Sequence, residues 1–382
     1  MIRRLAPISI ALLIVTLAVG CAEAERPPAP PAGTLVASPT GTGSACSTAE
    51  PCTLDRALSS ARDGQSIALL DGDFGDVTSN TQSFASAGSK SIVIEPAEGA
   101  APSIGKLDLN TPGLTWRGVT FTGGVYLDTG AVGTRLEQVH VSGSGVFVHA
   151  NDVVISGALI ENGTSIDGLQ VGGADNLVLE NSTVRGFGQG PDSDVHSDCV
   201  QLFDSSNIEI RGNYLGGGDN AAVIFSPGSG AGLQNVTVEG NFIQGCVEKT
   251  DRCSQGTAFD LRETTATGIV VRNNTMLNGS VMVEQIEGLV FDRNIIGYVS
   301  NCAMPMTNSI VIDWNTGKCG QPDALGINGN REGSINVVDL AGGDLRLVDP
   351  AQATIEPSGD SKPAAEGYDG SELDATTAGA GG

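Results

Sequence analysis

The sequence predicts an all-β fold: a single-stranded right-handed parallel β-helix with a short capping helix at its N-terminal end. Three observations predict it. Glycine is abundant (53 of 382 residues) while aromatic residues make up 4%, a composition of many turns and short aliphatic strands. Eight segments between residues 113 and 296 share one pattern: alternating apolar residues, a kink, then a second short apolar run. A further series of short strands falls between them, so each repeat carries two or three strands and has no room for a helix.

The chain opens with an address. Arg3 and Arg4 precede an apolar run from Leu5 to Val19, too short to span a bilayer comfortably. Residues 1–20 resemble a lipoprotein signal peptide, in which Cys21 would carry the lipid; Ala18 stands where such signals usually have Leu, so ordinary secretory cleavage is the alternative. Residues 21–33 are Pro-rich and read as a semi-rigid linker. The expectation is an extracytoplasmic protein, anchored at a bacterial surface or secreted, touching the membrane only through that anchor.

The folded domain is expected over residues 34–370. Residues 53–64 (TLDRALSSARDG) read as a helix with Thr or Asp at its start and Gly closing it. Its Ala and Leu positions would cover the open end of the first coil, which otherwise exposes a sheet edge. The eight repeats follow. Their kink positions are Val119, Val139, Ala158, Ser182, Asn213, Asn241, Asn274 and Asn294. Asn tolerates a bend, and its amide can bond the same amide one coil up, so these residues read as structural. Residues 371–382 are small and polar and read as a disordered tail.

The helix at 53–64, the strand that follows it, and the segments GDLRL (343–347) and GYDG (367–370) resemble the opening and closing of the pectate-lyase-like β-helix superfamily. That resemblance implies the fold; activity must be argued from the site.

The formal net charge of −24 excludes nucleic acid as a partner, since that recognition needs clustered Lys and Arg. Cysteine spacing suits an oxidising compartment. Cys46 with Cys52, Cys246 with Cys253, and Cys302 with Cys319 are near neighbours in loop-like sequence and read as local disulfides. Cys199, flanked by strand-like sequence, reads as a packed thiol.

Alternation along the second strand series puts Leu169, Val171, Val200, Leu202, Phe259 and Leu261 inside, and Gln170, Gln201, Asp260 and Arg262 outside. Tyr126, Asp128, His149, Met282 and Glu284 continue that outward stripe, a polar groove suited to an extended polysaccharide, with His149, Gln170, Gln201 and Glu284 as substrate contacts. The sharpest local feature is DSDVHSDCVQ (192–201), where a Gly- and Asp-rich loop interrupts the coil. His196, between Asp194 and Asp198, is a candidate acid or base.

Residues 165–168 (SIDG) and 197–199 (SDC) resemble the Asn-Thr-Asp-Gly and Asp-Asp-Cys motifs of polygalacturonases, which would make Asp167 and Asp198 acid/base carboxylates. Ser197 stands where that family has its first Asp, and no Gly-His-Gly follows. Residues 194–196 (DVH) resemble part of the Asp-Pro-His-Asp motif of alginate epimerases. Three readings follow. The first is lyase or epimerase chemistry on a uronate polymer, with His196 or Arg262 as base, Asp198 in the catalytic set, and Asp167, Asp198 and Asp260 holding a Ca²⁺ ion. The second is a hydrolase with paired carboxylates, and the third a non-catalytic surface solenoid. A monomer is expected.

Overall fold

The computed structural model describes residues 33–80, 91–254, 256–263, 265–313, 321–360 and 362–381. The signal segment, Cys21, most of the linker and Cys319 lie outside the described residues, and so does the proposed partner of Cys302.

The chain winds as a parallel β-helix with three strands per coil. One face is an 11-stranded parallel sheet built from the first strand of each repeat, such as Val153–Ser156, Asp175–Glu180 and Ser206–Arg211. The other two faces are joined into one 20-stranded sheet. They join because Thr275–Val283 and Ile295–Val299 run unbroken round a corner that elsewhere interrupts the chain. The second face holds the short runs after the kink (Leu159–Glu161, Thr183–Arg185, Tyr214–Gly216, Phe242–Gln244). The third holds Val125–Leu127, Val146–Val148, Leu169–Gly172, Asp198–Phe203, Ala221–Phe225 and Thr257–Leu261. The inward residues anticipated on this third face, Leu169, Val171, Val200, Leu202, Phe259 and Leu261, are all buried in one continuous core.

The kinks form the expected ladder. The Asn213 amide donates to Asn241 Oδ1 at 3.0 Å, Asn241 to Asn274 at 3.0 Å, and Asn274 to Asn294 at 3.1 Å. Ser182, Ser309 and Asn330 extend it at both ends. Each amide also satisfies a buried backbone carbonyl, as Asn241 does for Ile210, so the bend leaves no orphaned polar group.

The capping helix is shorter than expected, Leu54–Ser60. Thr53 caps it by accepting the Arg56 N–H, and Leu54, Ala57 and Leu58 face the first coil. It ends at Ala61, whose extended backbone breaks the helix ahead of Gly64.

The C-terminal segment differs from expectation. Residues 371–381 are not a free tail: Ala378 and Ala380 are fully buried, with Ala378 N–H donating to Ala353 and Ala380 N–H to Thr275 Oγ1. The cause lies on the second face, where the outward positions Phe242, Ile295 and Ile310 are apolar in the late coils. That face needs a cover, and an antiparallel hairpin (Val337–Asp339 with Asp344–Leu347) together with the final residues supplies it.

Candidate active site

The outward column of the third face runs in register through Asp108, Tyr126, Phe147, Gln170, Gln201, Ile224, Asp260 and Met282. The structure therefore places Gln170, Gln201 and Asp260 on one groove, as alternation requires. Gln170 Nε2 donates to Gln201 Oε1 at 2.9 Å, and Gln201 Nε2 to Ser226 Oγ at 3.2 Å, making an amide rail. Below it, the Tyr126 and Phe147 rings stack at 4.8 Å, with Lys106 over Tyr126. This aromatic stack was not anticipated, because it depends on register between coils.

Asp167 and Asp198 sit at the corner that feeds this face, at equivalent places on successive coils. They are 8% and 1% exposed. Alternation alone would have pointed both into the core; instead they lie where the chain turns into the strand. Asp167 Oδ1 accepts the Asp198 backbone N–H at 2.9 Å, and its Oδ2 accepts from Gln170 at 2.9 Å. Asp198 Oδ1 accepts from Asn220 at 2.9 Å, while Oδ2 is buried without a protein partner among the described residues. Burial first, and the neighbouring Asp167 carboxylate second, push the Asp198 carboxyl up to about 7. Burial also raises Asp167, against the opposing pull of the Asp198 N–H, the Gln170 amide and His196. Asn220, the residue that holds Asp198, was missed by sequence reasoning; its only signal is that it falls in the same corner one coil on.

The other anticipated residues are placed as follows. His196 is exposed on the inserted loop, close enough to act electrostatically on Asp167. Arg262 is not a free base: its Nε donates to Asp260 Oδ1 at 2.7 Å, its Nη2 bonds Oδ2, and this pairing raises its pKa further. Glu284 directly follows the next strand, Thr275–Val283, and acts electrostatically on Arg262. His149 is exposed, its Nδ1 2.7 Å from the Gly172 carbonyl. His140 lies on the second face, 3.2 Å from Glu161. Cys199 is buried, its thiol pushed up by burial and donating to the Gly216 carbonyl at 3.2 Å. Disulfides join Cys46 to Cys52 and Cys246 to Cys253.

The residues do not fit a calcium site. Among the described residues no group of three or more His, Cys, Asp or Glu is arranged to hold a metal ion. Asp260 is neutralised by Arg262, and Asp167 is filled by an N–H and an amide. Calcium needs six to eight converging oxygens.

A family model described as "Right handed beta helix region" matches residues 113–257. Among solved structures, pectate lyase Pel9A is 12% identical, covers 90% of this chain and 96% of its own, and superposes with a TM-score of 0.56. The PL6 family polysaccharide lyase Pedsa3628 from Pseudopedobacter saltans is 13% identical, with coverage of 91% and 99% and a TM-score of 0.45. The surface adhesin PfbA of Streptococcus pneumoniae is 12% identical, with coverage of 73% and 79% and a TM-score of 0.46. No curated protein matches the sequence. The chain has the right-handed parallel β-helix fold of the pectate-lyase type.

Proposed function

We propose that the chain is a carbohydrate-active β-helix protein that hydrolyses a polysaccharide, with Asp198 and Asp167 as its acid and base. The observation that carries this reading is the stacked carboxyl pair at the corner of a long amide-lined groove, one member of which keeps its proton near neutral pH. A buried carboxyl that a second carboxylate, one coil away, helps keep protonated lets the pair divide the labour of acid and base. Asp198 gives its proton to the departing glycosidic oxygen as the C–O bond breaks. Asp167 takes a proton from the water that adds to the anomeric carbon. Gln170, whose amide sits on Asp167, guards the approach, and a sugar hydroxyl would replace it as donor. The polysaccharide class of substrate is supported by the likeness of the fold to pectate lyase Pel9A.

Hydrolysis is preferred over elimination for two reasons. Elimination needs a strong base, and Arg262 is locked to Asp260. It also needs a uronate carboxylate to be neutralised, whereas the groove carries Asp108, Asp167, Asp198, Asp260 and Glu284 against Lys106 and Arg262, both already paired. Elimination keeps one supporting observation, the effect of His196 on Asp167. Export is part of the proposal: two disulfides suit an oxidising compartment, and Cys21 would carry the lipid anchor.

The test incubates the purified domain with neutral and uronate polysaccharides, with calcium and with chelator. Reducing ends and ultraviolet absorbance of unsaturated products are read in parallel. Hydrolysis gives reducing ends without absorbance, lost about 10²-fold or more in Asp198→Asn with the circular dichroism unchanged. Rising absorbance would transfer the assignment to elimination. An Asp198→Asn protein that still cleaves at full rate would refute the site.

A further inference from the structure

Two long loops turn the corner between the second and third faces, residues 186–197 and 245–256, and they belong to coils that are not adjacent. The coil between them turns tightly through residues 217–220. One residue of that turn, Asp219, touches both loops. Its backbone N–H donates to the Phe187 carbonyl at 2.8 Å, on the first loop. Its Oδ1 accepts the Ser254 N–H at 2.7 Å, on the second. Asp219 is 2% exposed, a buried carboxyl outside the acid pair. Burying such a group costs free energy unless it is hydrogen-bonded in a fixed place.

Both contacts lead toward the acid pair. Phe187 is fully buried, its ring seated where two glycines leave room. A Cβ at Gly168 would fall 2.7 Å from that ring, and one at Gly163 closer still. Gly168 directly follows Asp167. On the other side, Asp219 is followed by Asn220, whose N–H donates to the Ser197 carbonyl at 3.1 Å and whose amide holds Asp198 Oδ1 at 2.9 Å. A chain of contacts therefore runs from Ser254 through Asp219 and Asn220 to Asp198. Its far end is anchored. The Cys246–Cys253 disulfide closes the loop just ahead of Ser254, and the Cys253 sulfur lies 3.7 Å from the Gly218 carbonyl. Arg252 Nη2 reaches back to the Gly163 carbonyl at 3.2 Å.

We infer that Asp219 is a positioning residue for the acid pair: it bolts the 245–256 loop over the corner, and so holds Asn220 on Asp198 and keeps water from the Asp198 carboxyl. This role rests on the hydrolase reading and deepens it. The titratable groups that face Asp198 are Asp167 from the coil before, on which His196 acts, Asp260 from two coils on, itself held by Arg262, and the buried Cys199 thiol next in the strand. Burial is the first cause of the raised Asp198 carboxyl. A corner opened to water brings that carboxyl down toward its ordinary value. Asp219→Asn separates positioning from charge, because it keeps the Oδ1 acceptor and loses only the ionisable group.

The test follows the Asp198 carboxyl by carboxyl-carbon NMR in the intact mature protein, its signal assigned by loss in Asp198→Asn. Reducing ends released from galactan and from polygalacturonate are read against pH in parallel. The expected midpoint in Asp219→Ala, its fold checked by circular dichroism, is about one pH unit below the wild type, while Asp219→Asn stays with the wild type. Ser254→Pro removes the donor from the other side and is expected to match Asp219→Ala. On the cleaved polymer, kcat falls about tenfold in Asp219→Ala with KM nearly unchanged. Equal midpoints in the wild type, Asp219→Ala and Ser254→Pro would overturn the inference. So would an Asp219→Asn midpoint as low as that of Asp219→Ala, which would make Asp219 a charge acting on the acid rather than a bolt. Separated midpoints with neither polymer cleaved would sink the hydrolase reading and leave the bolt standing.

Discussion

The raised Asp198 carboxyl makes a stability prediction with a definite sign. In the unfolded chain Asp198 titrates at its ordinary value of 3.8; in the fold it titrates at about 7. Below pH 3.8 both states hold the proton and the group contributes no difference. Between those values the unfolded chain releases the proton and the native chain keeps it, so this group lowers stability as pH rises. Above about 7 the native chain must carry a buried carboxylate and the penalty levels off. The interval corresponds to about 4 kcal/mol at its plateau. Asp198 is 1% exposed, so solvent does not screen this figure. Asp198→Asn keeps an oxygen to accept from Asn220 but cannot ionise. It is therefore expected to match the wild type near pH 3.5 and to be more stable by up to about 4 kcal/mol at pH 8. Urea unfolding followed by the fluorescence of buried Trp116 measures both. A stability difference that does not change with pH, or one that favours the wild type at pH 8, would refute the assignment. The catalytic counterpart is an activity that falls as pH rises through about 7, since the donor is then deprotonated.

Three further predictions test other parts of the fold. Asn241→Ala should cost about 3–5 kcal/mol, because it strands the Asn213 N–H and the Ile210 carbonyl in a dry interior; a denaturation midpoint within error of the wild type would contradict the ladder. Deleting residues 371–382 uncovers Ile295, against which Gly379 packs, and removes buried Leu373, Ala378 and Ala380, a loss of roughly 2–4 kcal/mol visible as a lower melting temperature and new binding of a hydrophobic dye. Replacing Cys246 and Cys253 by Ser frees the short loop they close in the unfolded chain and should cost about 2 kcal/mol, read as a lower melting temperature; an unchanged melting temperature would show that the bond does not constrain the chain.

Much of the fold was legible because a solenoid repeats its physics. The Asn ladder was readable from Asn213, Asn241, Asn274 and Asn294, since a buried bend needs the same amide in every coil. The groove column was readable because strands alternate, which placed Gln170, Gln201 and Asp260 correctly. Alternation fails where the chain turns: it would point Asp167 and Asp198 inward, so they can serve the groove only from the bend ahead of the strand, and that is where both sit. The locking of Arg262 was visible in principle, as residues two apart on a strand share a face, but a cation there was read as free. The calcium expectation shares this blind spot: carboxylates counted along the chain do not reveal which already have partners. The tail was misread because its composition is that of a linker; only the apolar outward positions of the second face explain why Ala378 and Ala380 are held.

The acid pair and the neighbouring cleft lined by Gly188, Gly216 and Arg252 share one cause. A coil that repeats faithfully can make a ladder, a core or a stripe, but it offers identical surfaces and so cannot single out one ligand. Selectivity needs a break in period. Along the ladder the spacing is 31 residues from Ser182 to Asn213, 28 to Asn241 and 33 to Asn274, then 20 to Asn294. The extra residues of the 31- and 33-residue steps fall at a single corner, between the second and third faces. The first insertion brings His196 and Asp198 to the groove; the second swings Arg252 across the cleft. The tight corner between them supplies Asn220 to Asp198 on one side and the open floor at Gly216 on the other. A deletion that shortened residues 245–256 to a tight turn would therefore remove the cleft and reach the acid pair only through the lost Ser254 bond to Asp219. Shortening residues 186–197 would disturb both, because that loop leads directly into Asp198 and carries Gly188 beneath Arg252.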